Sequence, residues 1–126
     1  MPKVSKDSAA QIEDHGPVLD RHQDLDGYTI SFTEFREDID ATPLLKGAPD
    51  NRCQCPHWGY VLQGRVTFRF ADGDEVIQAG DAFYLPPGHI PVKHEPGTEV
   101  VMFSPSAELK ETAAVMTRNM QAMQSG

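Results

Sequence analysis

Short runs in which apolar and polar residues alternate, each closed by a glycine or proline turn, limit this chain's possible folds more than any other feature. Tyr28, Ile30 and Phe32 alternate with Thr29, Ser31 and Thr33, and Val66, Phe68 and Phe70 alternate with Arg65, Thr67 and Arg69. A period of two gives an extended chain one apolar and one polar face, the mark of a half-buried strand. Gly64, Asp72-Gly73-Asp74, Ala79-Gly80, Pro86-Pro87-Gly88 and Pro96-Gly97 punctuate strand-like pieces at 58–62, 65–70, 75–78, 81–85, 89–93 and 98–103. Six or seven short strands with regular turns predict an all-β fold, an antiparallel sandwich or barrel. The pieces on either side of Gly64 are expected to form a hairpin.

The flanks differ from this middle. Residues 1–24 are polar, contain Gly16-Pro17 and show no sustained period, so an N-terminal arm is expected ahead of a barrel over 25–104. Ser104-Pro105 reads as an N-cap followed by proline at the first helical position. It opens a C-terminal helix over 105–126 whose Leu109, Ala113, Met116, Met120 and Met123 share one face. That face is expected to dock on the domain itself or on a partner subunit. At 126 residues the chain is long enough for one domain with a real core.

Charge and hydropathy exclude some partners. Lys and Arg number 11 against 19 Asp and Glu, a net charge of −8, and the basic residues are scattered. Nucleic-acid binding needs a basic footprint and is not expected. No apolar run reaches membrane-spanning length and the N-terminus lacks a signal-peptide core, so a soluble, cytoplasmic protein with no membrane partner is expected. His15 and His22, among Asp14, Asp20, Asp24 and Asp26, read as solvated residues. The cluster of Glu34, Glu37, Asp38 and Asp40 reads as a solvated edge.

The chemistry concentrates in 51–64. Both cysteines and one histidine fall within five positions, Cys53, Cys55 and His57. In an extended chain, side chains at i, i+2 and i+4 project to one side, so all three can face one space. Cysteines two apart are poorly placed for a disulfide, and in a reducing compartment they serve as ligands, nucleophiles or packing residues. Thiolates with imidazoles favour zinc, then iron, over magnesium or calcium. Pro56 can bend the chain and turn one cysteine outward. The alternative is a metal-free interior in which the cysteines are small buried residues. On the opposite parity, Trp58, Tyr60 and Leu62 form an aromatic face that needs a cover: the strand of Tyr28, Ile30 and Phe32, the C-terminal helix, or a second subunit.

Asn51 to Gly64 followed by Gly80 to Pro91 resembles the two motifs of the cupin family. In that family the first motif runs His-x-His, three or four residues, Glu, six residues, Gly. With Gly64 on the final glycine, His57 takes the glutamate position, Cys53 the second histidine and Asn51 the first. In the second motif Gly80, Pro86 and Gly88 match, while Pro91 stands at the histidine and Glu95 at the asparagine. His89, two residues before Pro91, shares its side in a regular strand and is the expected fourth ligand. The resemblance implies a cupin-like double-stranded β-helix, or jelly-roll barrel, between the arm and the helix. It implies a divalent metal ion, zinc ahead of iron, held by Cys53, Cys55, His57 and His89. It further implies a metal-dependent enzyme acting on a small organic molecule, with His94 or Tyr84 as proton-shuttle candidates, assembled as a homodimer. A non-enzymatic cupin binding module is the alternative, since the fold hosts both.

Overall fold

The alternating runs adopt extended backbone in a computed structural model, which describes residues 2–125. The described residues form nine strands: β1 (Gln11–Asp14), β2 (Val18–Leu25), β3 (Tyr28–Phe35), β4 (His57–Gln63), β5 (Arg65–Phe70), β6 (Gly73–Gln78), β7 (Ala82–Leu85), β8 (Ile90–His94) and β9 (Thr98–Pro105). The helix α1 (Ser106–Ser125) follows. The strands pair antiparallel into a six-stranded sheet, β1-β2-β3-β9-β4-β7, and a three-stranded sheet, β6-β5-β8. The inward sides of the two sheets meet in a buried cluster of Val61, Val66, Phe68, Leu85 and Val100. This is the all-β, jelly-roll arrangement expected.

Several expectations are corrected. β4 and β5 do not form a hairpin: β4 pairs with β7 and β9, whereas β5 pairs with β6 and β8 in the opposite sheet. Gly64 turns the corner with φ +84°, and a Cβ there would run into the Thr98 side chain, so only glycine lets the chain change sheets at this point.

The expected arm over 1–24 carries two strands. β2 lies along the whole of β3, from Val18 opposite Phe35 to Leu25 opposite Tyr28, and β1 adds to its outer edge. Asp26 and Gly27 connect them with φ of 51° and 82°, the left-handed pair that suits a two-residue hairpin to the strand twist. Backbone pairing holds this polar segment in place, joined by hydrogen bonds from Thr29 to Asp24 and from Thr33 to Asp20.

The helix begins one residue later than its sequence signal, because Ser104 and Pro105 still belong to β9. Leu109 and Met116 pack against buried Leu45, Cys53, Cys55 and Ile90, so the helix docks on its own domain. Asn119 Nδ2 reinforces this by donating to the carbonyls of Leu44 (2.6 Å) and Lys46 (2.8 Å). Met123, placed on the docking face by its spacing, is exposed instead.

The acidic cluster at 34–40 also does more than face water. The backbone N–H of His94 donates to Asp38 Oδ1 at 2.9 Å, and that of Thr42 donates to Asp40 Oδ1 at 2.9 Å. No helix among the described residues is long and apolar enough to cross a membrane.

Candidate metal centre

Cys53 lies just outside β4 and is tied to His89 by an isolated bridge, in which Cys53 N–H donates to the His89 carbonyl at 3.0 Å and Gly88 N–H to the Cys53 carbonyl at 2.8 Å. His57 opens β4 on its inward side, opposite Leu85. These links bring the ligand atoms of Cys53, His57 and His89, all buried, within 4.8 Å of one another. Cys53 Sγ is 3.7 Å from His57 Nε2, and the two imidazole centroids are 5.0 Å apart. Phe68 and Phe70 turn ring edges toward His89. The group lines a cavity of about 920 Å³ between the sheets and α1.

The donor set suits a soft or borderline cation. His89 Nδ1 is 2.8 Å from the Pro86 carbonyl, which can only accept, so that nitrogen carries the proton and Nε2 keeps its lone pair. His57 Nδ1 is 2.6 Å from Ser104 Oγ; with the proton on Nδ1 donating to that hydroxyl, its Nε2 is likewise a ligand atom on the side of Cys53. Metal-binding histidines are oriented in this way by a partner on the second ring nitrogen.

Burial raises the Cys53 thiol pKa, opposed by hydrogen bonding to the sulfur from the Cys55 backbone and the Thr112 hydroxyl. Burial lowers His57 to about 3, with His89 adding to the effect, and burial also lowers His89. The imidazoles are therefore neutral at physiological pH, as ligands must be.

Cys55 does not join the group. Its thiol donates to the Pro56 carbonyl at 3.5 Å, and burial, then Cys53 and Glu108, push its pKa up to about 12. The parity argument required extended backbone from 53 to 57, but β4 begins only at His57, after Pro56.

Tyr84 is also misplaced by proximity to the second motif. It lies opposite Trp58 on the outer face, its ring tilted against the indole with centroids 4.9 Å apart, while its neighbour Leu85 takes the inward position. His94 does line the cavity. Ser104 and Thr112 were missed. Ser104 resembled an N-cap, whereas Thr112, three residues after Leu109 and four before Met116, lay on a face legible from helical spacing.

Residues 56–98 match a family model described as an AraC-like ligand binding domain. No curated protein matches the chain by sequence. Among solved structures, an RmlC-like cupin from Shewanella frigidimarina is 20% identical, with 75% of this chain and 83% of that one covered and a TM-score of 0.52. The chain has the cupin fold.

Two further solved structures are similar in fold to this chain. The polyketide cyclase RemF from Streptomyces resistomycificus is 18% identical, with coverage of 83% and 79% and a TM-score of 0.55. The iron(II) form of HppE is 9% identical, with coverage of 82% and 60% and a TM-score of 0.57. His89 stands in the isolated bridge to Cys53, outside β8 and the usual register of the second motif.

Proposed function

We propose that this cupin binds a divalent metal ion through Cys53, His57 and His89 and is a metal-dependent enzyme acting on a small organic molecule in the barrel. The observation that carries the reading is the gathering of three buried soft ligands within 4.8 Å at the wall of a 920 Å³ cavity. One thiolate and two imidazoles favour zinc, with iron second. Three protein ligands leave a fourth position for a water or substrate oxygen, the composition of catalytic rather than closed structural sites. When bound, the ion supplies Lewis acidity toward that oxygen.

The chain's own groups do the rest. Ser104 and the Pro86 carbonyl fix the two imidazoles, Cys53 contributes an anionic ligand, and α1 with Leu109 and Met116 shields the site from water. Metal content by mass spectrometry, on protein purified without a metal-carrying tag, tests the reading. About one ion per wild-type chain is expected, lost in Cys53→Ser and His57→Ala but retained in Cys55→Ser. Wild-type protein that neither carries nor takes up metal overturns it.

The match to a ligand-binding domain favours a second reading, a small-molecule binding module without turnover. A bound metal that shows no spectral or affinity response to azide or cyanide supports this closed, non-catalytic alternative.

A further inference from the structure

His94 is held more firmly than packing alone requires. Its Nδ1 lies 2.8 Å from the Ile39 carbonyl, its backbone N–H donates to Asp38 Oδ1 at 2.9 Å, and its ring stacks on Phe35 with centroids 4.0 Å apart. Since a carbonyl can only accept, the proton sits on Nδ1 and Nε2 presents a bare lone pair. That Nε2 is buried and has no hydrogen-bond partner among the described residues. The residue is 2% exposed and lines the large cavity. Buried polar atoms are nearly always satisfied, so an acceptor fixed in this way and left unmatched marks a place where something else donates.

We propose that His94 Nε2 is the hydrogen-bond acceptor that selects the cavity's ligand, a neutral, largely apolar molecule carrying an O–H or N–H group. The lone pair excludes a carboxylate or phosphate oxygen at this position, because two acceptors repel. The immediate surface is apolar, with Phe35 stacked on the ring and Val66 of β5 opposite His94. The nearby Asp38 and Asp40 carboxylates further disfavour an anion, although Glu13, Asp20, Asp24 and Lys110 line the cavity elsewhere. Burial also lowers the His94 pKa and keeps the ring an acceptor. A cavity of about 920 Å³ accommodates a body of several rings. An unsubstituted hydrocarbon of the same shape fills the space but leaves Nε2 unpaired. The acceptor therefore discriminates between ligands that apolar contact alone cannot distinguish. The inference rests on the cavity being a ligand site, as proposed above, but not on its metal.

The test compares naphthol with its methyl isostere, methylnaphthalene, on the full-length protein, both as purified and after chelation. Naphthol is expected to bind roughly tenfold more tightly, the size of one well-made hydrogen bond to a buried acceptor. The preference is expected to vanish in His94→Phe. In two-bond 1H–15N spectra of the free protein, His94 is expected to show a protonated Nδ1 and a bare Nε2, whose resonance moves when naphthol is added. Equal or tighter binding of the methyl compound, a preference that survives in His94→Phe, no binding of either probe, or a protonated Nε2 each overturns the proposal. Should His94→Phe not fold, an Nε2 resonance unmoved by naphthol overturns it alone. A protein that binds no metal yet prefers naphthol defeats only the metal reading.

Discussion

His94, His57 and His89 are buried imidazoles whose charged forms the fold disfavours, and this fixes the direction of their acid response. At His94, burial outweighs the Ile39 carbonyl and the Asp38 and Asp40 carboxylates, so the folded pKa lies below the unfolded value of about 6.5. Above that value both states are neutral. Below it the unfolded chain takes up a proton that the folded one resists, so stability falls as pH drops toward the folded pKa. The contribution of His94 is a slope of up to about 1.4 kcal/mol per pH unit in that window. Urea unfolding of wild type and His94→Phe from about pH 7.5 to pH 5 is expected to show a shallower loss in the variant; parallel curves sink the assignment. From sequence, proximity to the second motif marked His94 as a candidate, yet its tautomer was illegible because the carbonyl that sets it belongs to Ile39, 55 residues away. Cys53 and His57 were candidates from ligand type and spacing and His89 from the cupin resemblance; the structure brings these three side chains together. Cys55 was misread because Pro56 separates it from the regular strand that the parity argument needed.

Elements that pair through backbone alone leave less trace than elements that bury an apolar face. β3, β5 and β9 were legible as strands from alternation and turns. β1 and β2 were not, since neither alternates clearly, although Asp26-Gly27 is a hairpin signal between them. The helix was legible from its stripe, but not the anchor at Asn119, whose two acceptors lie some 75 residues earlier, at Leu44 and Lys46. These bonds hold α1 against the turn at Thr42–Leu45, beside the buried Cys53 and Ile90. Asn119→Ala is expected to cost about 1–2 kcal/mol by chemical denaturation. It should also speed amide exchange through the middle of α1 while leaving β5 and β9 unchanged. Unaltered exchange in α1 would show that the apolar face alone docks the helix.

At the scale of the molecule, the large sheet is closed on one side only. Its inner face meets the small sheet and the cavity, whereas its outer face exposes Ile12, Tyr28, Trp58, Tyr60, Tyr84 and Phe103, each more than 40% accessible. The register places Trp58 beside both Tyr84 and Phe103, and Tyr60 beside Val101, so these side chains form a continuous patch. Neither intramolecular cover anticipated from sequence reaches it: the strand of Tyr28, Ile30 and Phe32 lies in the same sheet, and α1 docks on the buried cluster that includes Cys53 and Leu45. Of the three covers considered, a second copy remains. A twofold axis through the patch would bury the same aromatic surface on both subunits, the isologous arrangement usual for homodimers. The expected outcome is a dimer mass in light scattering, shifting toward monomer in Trp58→Glu because each new carboxylate would be buried without a partner. The variant should keep its metal content, since Trp58 faces away from His57 across the strand. A wild-type mass that stays monomeric at every concentration would defeat the dimer and leave the aromatic face open to a different partner.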